Sequence, residues 1–279
     1  MKIARYRDAG GGVHHGQLLD DGRLERLSGD LYGCLIPSGE MVESFQLLAP
    51  LDPRAVLCIG LNYHRHAEEL GAPVPEYPVV FMKSPAAVQN PGDPIELPTS
   101  LASEQVDYEG ELAVVIGRRC KNLAPAQAPS VILGYTCAND ISARDWQQQK
   151  RLSGGQWCRS KSFDTFLPLG PTIVSLDAFP DPHNLNLHTR LNGATVQHAN
   201  TADMIFSVCE LVAFLSGSTT LLPGMVILTG TPAGVGMAAR PPRWLQPGDE
   251  VSVEIEGIGC LTNPVIAEPV GLEQSSPGH

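Results

Sequence analysis

The residues best suited to chemistry lie in Val106-Asp107-Tyr108-Glu109-Gly110-Glu111-Leu112-Ala113-Val114-Val115-Ile116. Side chains two apart on a strand share a face, so Glu109 and Glu111 point the same way, and the apolar run after them carries the strand into a core. Two carboxylates on one partly buried face repel each other unless a proton or cation sits between them. A hard divalent cation with oxygen ligands relieves that repulsion; an acidic strand end facing solvent relieves it too. A second segment, Tyr135-Thr136-Cys137-Ala138-Asn139-Asp140-Ile141-Ser142-Ala143-Arg144, runs off a strand into a helical turn. Asp140 stands at the strand's end, a usual place for a ligand or catalytic group and equally for a helix N-cap. Arg144, four residues on, faces the same side if the turn is helical. Its guanidinium suits bidentate capture of a carboxylate, whether a substrate's or a neighbouring residue's.

Such groups need a rigid scaffold, and the pattern predicts a β-rich one. Val13–Leu19 and Leu24–Leu27 read as strands across the turn Asp20-Asp21-Gly22. Residues 1–50 form a small N-terminal β subdomain in this reading, ending near Leu51-Asp52-Pro53. The catalytic domain then covers 54–269, and 270–279 is a flexible tail. Ala55–Gly60 is a continuous apolar run, as a buried strand would be. Further strands are expected at 78–82, 109–116, 131–137, 185–191, 225–229 and 251–255, with a hairpin at Asn192-Gly193. The clearest helix is Asp203–Leu215, where Ile205, Val208, Leu211, Val212 and Leu215 recur at helical spacing.

Bulk properties narrow the function. With 279 residues, 43% of them hydrophobic, the chain can bury a sizeable core. A net charge of −11 argues against nucleic acid as a partner, since phosphate binding needs a basic surface. No apolar run is long enough to span a bilayer, and the first residues lack a signal peptide's apolar segment. The seven cysteines are scattered, with no C-x-x-C pair, so neither a disulfide framework nor a zinc cage is expected. The cytoplasm is the expected setting.

Glu-x-Glu followed by Asn-Asp-x-Ser-Ala-Arg-Asp-x-Gln resembles the fumarylacetoacetate hydrolase family, and further motifs follow in order. Gln156–Phe166 is similar to the family's lysine-bearing segment, Leu228–Gly236 to its glycine-rich threonine loop, and Ile59–Tyr63 with His66 and Glu69 to its lid. Five ordered motifs cover roughly 54–268. The resemblance implies an α+β, predominantly β fold, a mixed β-roll with few short helices, assembled as a homodimer. It implies Mg²⁺ or Mn²⁺ on Glu109, Glu111 and Asp140, with the substrate's 2-oxo group and carboxylate completing the shell and an enolate as the intermediate. His66 and Glu69, spaced to meet on a helical turn, take the role of activating water or shuttling a proton. Lys161 would neutralise enolate charge. Arg144, Gln147, Thr231 and Lys83 would contact a small 2-oxo acid substrate. The first expectation for the reaction is C–C hydrolysis of an acylpyruvate- or fumarylpyruvate-like compound. The second is oxaloacetate decarboxylation or tautomerisation, or isomerisation of a dienoate, and a third is metal-dependent binding of small acids without catalysis.

Overall fold

The computed structural model describes residues 1–179 and 181–269; the expected tail, 270–279, lies outside the described residues. The chain opens with five strands, β1 (Lys2–Asp8), β2 (Val13–Leu18), β3 (Leu24–Gly29), β4 (Leu35–Val42) and β5 (Phe45–Leu48). Next come β6 (Ala55–Gly60), the short helix α1 (His64–Glu69) and β7 (Val79–Lys83). Three short strands follow, β8 (Val88–Gln89), β9 (Ile95–Leu97) and β10 (Val106–Asp107). The hairpin of β11 (Gly110–Ile116) and β12 (Ile132–Asn139) leads into β13 (Ser142–Ala143) and two helical turns, α2 (Arg144–Gln148) and α3 (Lys150–Ser153). The rest is β14 (Leu167–Ser175), β15 (Asn186–Leu191), β16 (Ala194–Asn200), α4 (Val208–Ser216), β17 (Met225–Leu228), β18 (Glu250–Ile255) and β19 (Gly259–Ala267). The fold is thus mostly β with few short helices, as expected.

The main sheet runs β4-β3-β2-β1-β14-β12-β11-β17-β6-β7, and a second sheet runs β16-β15-β18-β19-β9. The N-terminal strands join the others where β1 pairs antiparallel with β14, Lys2 opposite Val174 and Ile3 opposite Ile173. β11 lies between β12 and β17, and all seven of its residues are buried. Its alternation divides the core. Ala113 and Val115 pack into one apolar cluster with Val56, Cys58 and Phe81, while Leu112, Val114 and Ile116 enter another with Leu187, Val253 and Leu211. A strand covered on both faces reads as an unbroken apolar run, and this one does.

Two differences from expectation have local causes. α4 begins at Val208, five residues later than its apolar spacing suggests. Ser207 is the N-cap, its hydroxyl accepting from the Glu210 amide while the Glu210 carboxylate accepts from the Ser207 amide. The preceding residues are held elsewhere: the Ile205 amide donates to the Asn62 carbonyl and the Phe206 amide to the Asn62 side chain. β4 carries no apolar alternation to read, because six of its eight residues are exposed. No helix among the described residues is long and apolar enough to cross a membrane.

Candidate active site

β11 and β12 bring the carboxylates together. Glu109 immediately precedes β11 and Glu111 lies on it, while Asp140 immediately follows β12, whose Asn139 pairs with Gly110. The junction is fixed by backbone and amide bonds. The Asp140 amide donates to the Glu109 carbonyl at 2.8 Å, and the Glu109 amide to the Asn139 side-chain oxygen at 3.0 Å. One oxygen from each of Glu109, Glu111 and Asp140 lies within 4.8 Å of the others, and all three residues are buried. Gly110 between the glutamates permits close approach of the second sheet: a Cβ there would lie 2.1 Å from the Thr189 hydroxyl.

Two buried lysines meet this triad. Lys161 Nζ donates to Glu109 Oε2 at 2.6 Å and Asp140 Oδ2 at 2.8 Å. Lys83, from the inner face of β7, donates to Asp140 Oδ1 at 2.7 Å and the Ile141 carbonyl at 3.1 Å. Arg144 sits on the other side of Glu109. Its Nε donates to Asp107 at 2.9 Å and its Nη1 to Gln147 Oε1 at 3.0 Å. Its Nη2 lies 2.6 Å from Glu109 Oε1, an ion-pair contact without hydrogen-bond alignment.

The electrostatics separate the glutamates. Burial pushes the Glu109 carboxyl up, but Lys161 and Arg144 outweigh it and hold the group well below the usual range. Glu111 receives one hydrogen bond, from the Gly230 amide at 2.6 Å, and has no cationic side chain within ion-pair distance among the described residues. Burial, Asp140 and Glu109 together push its carboxyl well up. Burial alone would lower Lys161, yet Asp140 and Glu109 hold it above its ordinary value; for Lys83 burial wins and the group is lowered. A divalent cation fits this donor set. The donors are hard oxygens, they converge, and Glu111 lacks the positive neighbour its buried charge requires. Glu109, Glu111 and Asp140 are the residues that would hold it.

His66 and the two glutamates of the triad line one cavity of about 360 Å³, together with Arg144, Gln147, Lys161 and Thr231. His66 Nδ1 and Glu69 Oε2 are 3.0 Å apart on α1, which leaves Nε2 as the ring nitrogen without a partner among the described residues. Glu69 also accepts from the Gly234 amide at 2.9 Å, tying α1 to the threonine loop. Asn62 makes a second tie, donating to the carbonyls of Thr229 and Phe206.

Three residues expected to contact substrate are engaged with groups of the protein itself. Lys83 does not line the cavity and lies behind Asp140, holding that carboxylate. Thr231 lines the cavity, but its hydroxyl donates to the Gly110 carbonyl and accepts from Gln197 Nε2, so its proton is committed to the scaffold. Arg144 turns its nitrogens to Asp107, Gln147 and Glu109, which leaves the Gln147 side-chain amide as the freer donor. Two residues not singled out in the sequence hold the site. Asp107 is fully buried and accepts from Arg144 Nε and from the amides of Tyr108, Gly236 and Met237. Its place two residues before Glu109 was the available signal. Gln197 joins the Gly110 amide to Thr231 and the Pro232 carbonyl, and nothing local in its segment marks it. Trp157 also lines the cavity.

A β scaffold with a buried oxygen-donor triad beside a histidine–carboxylate pair and a small-molecule cavity defines a metal-dependent enzyme. The family model described as fumarylacetoacetate (FAA) hydrolase C-terminal matches residues 55–266. The chain belongs to the fumarylacetoacetate hydrolase family. It is 46% identical over 224 residues to the mitochondrial oxaloacetate tautomerase of Xenopus laevis, covering 80% of this chain and 69% of that protein. Among solved structures it is similar to a 2-hydroxyhepta-2,4-diene-1,7-dioate isomerase from Mycobacterium marinum, with a TM-score of 0.82 and 41% identity over 96% of this chain and 99% of that one. A fumarylacetoacetate hydrolase from Exiguobacterium antarcticum superposes with a TM-score of 0.87 at 37% identity, over 96% of this chain and all of that one. These relatives support the second expectation for the reaction, tautomerisation or isomerisation, better than the first.

Proposed function

We propose that the protein is a Mg²⁺- or Mn²⁺-dependent tautomerase or isomerase of a small 2-oxo acid. The observation that carries this reading is the buried triad of Glu109, Glu111 and Asp140, whose two glutamates line one cavity together with the Glu69-bonded His66. When bound, the metal supplies Lewis acidity toward the 2-oxo group, which makes the neighbouring C–H more acidic. His66 takes that proton and returns it, with Glu69 fixing the ring's tautomer and orientation. Lys161 holds positive charge beside Glu109 and Asp140, where negative charge develops on the substrate. Gln147 donates its side-chain amide to the substrate's carboxylate.

Hydrolysis of a C–C bond in an acylpyruvate is the second reading. A histidine held by a carboxylate can orient water as well as move a carbon-bound proton, and the similarity to a fumarylacetoacetate hydrolase supports keeping it. We retain the homodimer and the cytoplasm as expectations, for which sedimentation and localisation of the tagged protein are the checks.

The decisive assay follows oxaloacetate and acetylpyruvate by proton NMR, each with Mg²⁺, Mn²⁺ and EDTA. Metal-dependent keto–enol interconversion of oxaloacetate with no acetate released supports tautomerisation. Acetate and pyruvate from acetylpyruvate move the assignment to hydrolysis, and pyruvate with CO₂ from oxaloacetate to decarboxylation. Turnover undiminished by EDTA sinks the metal assignment.

A further inference from the structure

The cavity of about 360 Å³ joins its polar residues to an extended apolar wall. Beyond its polar floor it is walled by Leu61, Leu70, Ala72, Phe81, Trp157 and Met237. Local features build this wall. Leu61 follows β6 with a φ of 53°, a left-handed conformation that a leucine adopts only when its surroundings impose it. Gly60 beside it lets the indole of Trp157 close in, since a Cβ there would lie 2.6 Å from Trp157 Cζ3. Trp157 then meets Phe81 edge to face, 5.4 Å between ring centroids at 68°.

Among the described residues, the cationic side chains that line the polar side are already paired with carboxylates. The nitrogens of Arg144 face Asp107, Gln147 and Glu109, and Lys161 is shared between Glu109 and Asp140. A carboxylate at the far end of a substrate would meet glutamine amides and apolar surface with no unengaged cation lining the cavity among the described residues. Burying it there is unfavourable, whereas an apolar group in the same place gains from leaving water.

We infer that the site takes 2-oxo acids with an apolar distal arm, aryl or branched alkyl, seated against Trp157, Phe81 and Leu61, in preference to dicarboxylates. This rests on the reading of the site as a 2-oxo acid tautomerase. The reaction stays balanced on such a substrate: the proton leaves the carbon next to the ketone, the C–H pair becomes the C=C bond, and the ketone oxygen takes up a proton. No co-reactant is consumed.

The test measures keto–enol interconversion of phenylpyruvate and of oxaloacetate side by side, with the full chain and Mg²⁺. Calorimetry measures phenylpyruvate binding separately on the same protein. The inference expects kcat/KM for phenylpyruvate to exceed that for oxaloacetate by about tenfold, and that ratio to fall about tenfold in Trp157→Ala while Trp157→Phe retains it. Faster turnover of oxaloacetate overturns the inference and leaves the tautomerase reading intact. If neither acid turns over, the tautomerase reading fails, and calorimetry decides the inference alone. Phenylpyruvate binding weakened in Trp157→Ala and kept in Trp157→Phe would then support the apolar seat, and no binding would overturn it.

Discussion

His66 is the side chain whose loss separates metal binding from proton transfer. Its ring lines the cavity but is bonded to Glu69, outside the triad. His66→Ala should therefore lower kcat about a hundredfold or more while calorimetry reports unchanged Mg²⁺ affinity. Glu111 makes a pH prediction. Burial, Asp140 and Glu109 raise its carboxyl in the metal-free protein, so between the ordinary carboxyl range and that raised value the folded form binds more protons than the unfolded one. Stability of the metal-free protein should fall as pH rises through that window, and melting curves of Glu111→Gln should lose this slope. Glu109 acts in a different window. Its lowered carboxyl contributes stability above the ordinary range, lost as pH falls below it, and Glu111→Gln should leave that acid limb in place.

At the scale of elements, the site depends on how closely β11 approaches the second sheet. Gly110→Ala would drive a methyl into the Thr189 hydroxyl and crowd Gln197 and Val253. The expected result is a loss of about 1–3 kcal/mol in a denaturant titration, with weaker metal binding because Glu109 and Glu111 flank the shifted residue. The same strand shows how far sequence reasoning reaches. The two-residue period places Glu109 and Glu111 on one face, and the apolar run after them marks a buried strand. Asp140 is legible as a strand-end acid, but its nearness to Glu109 depends on pairing between β11 and β12. Lys83 and Gln197 act across 57 and 34 residues of chain, on Asp140 and Thr231 respectively, and no local pattern encodes such reach. β14 and β19 went unread as strands, and so did β1, which carries buried Ile3, Ala4 and Tyr6 but also Arg5 and Arg7 within its seven residues.

At the scale of the whole molecule, metal binding and folding are linked. The triad gathers its carboxylates only when β11 and β12 are paired, so an ion that binds there stabilises the native state by mass action. At about a hundredfold excess of free Mg²⁺ or Mn²⁺ over its dissociation constant the gain is roughly 2.7 kcal/mol, read as a rise in melting temperature. Glu109→Ala should abolish that rise. An equal rise in the variant would mean that the stabilising ion binds elsewhere on a chain whose net charge is −11.

The central position of β11 also bears on motion. Its amides are bonded into strands on both sides, and its side chains belong to both apolar clusters. α1, by contrast, is six residues long and reaches the threonine loop through the Glu69 carboxylate and the Asn62 side chain just before it. Hydrogen exchange should thus divide the two halves of the site: amides of Leu112–Val115 exchanging only with global unfolding, those of α1 through local opening. The ion's ligands would then stay assembled through every opening that admits or releases a substrate, while the histidine comes and goes.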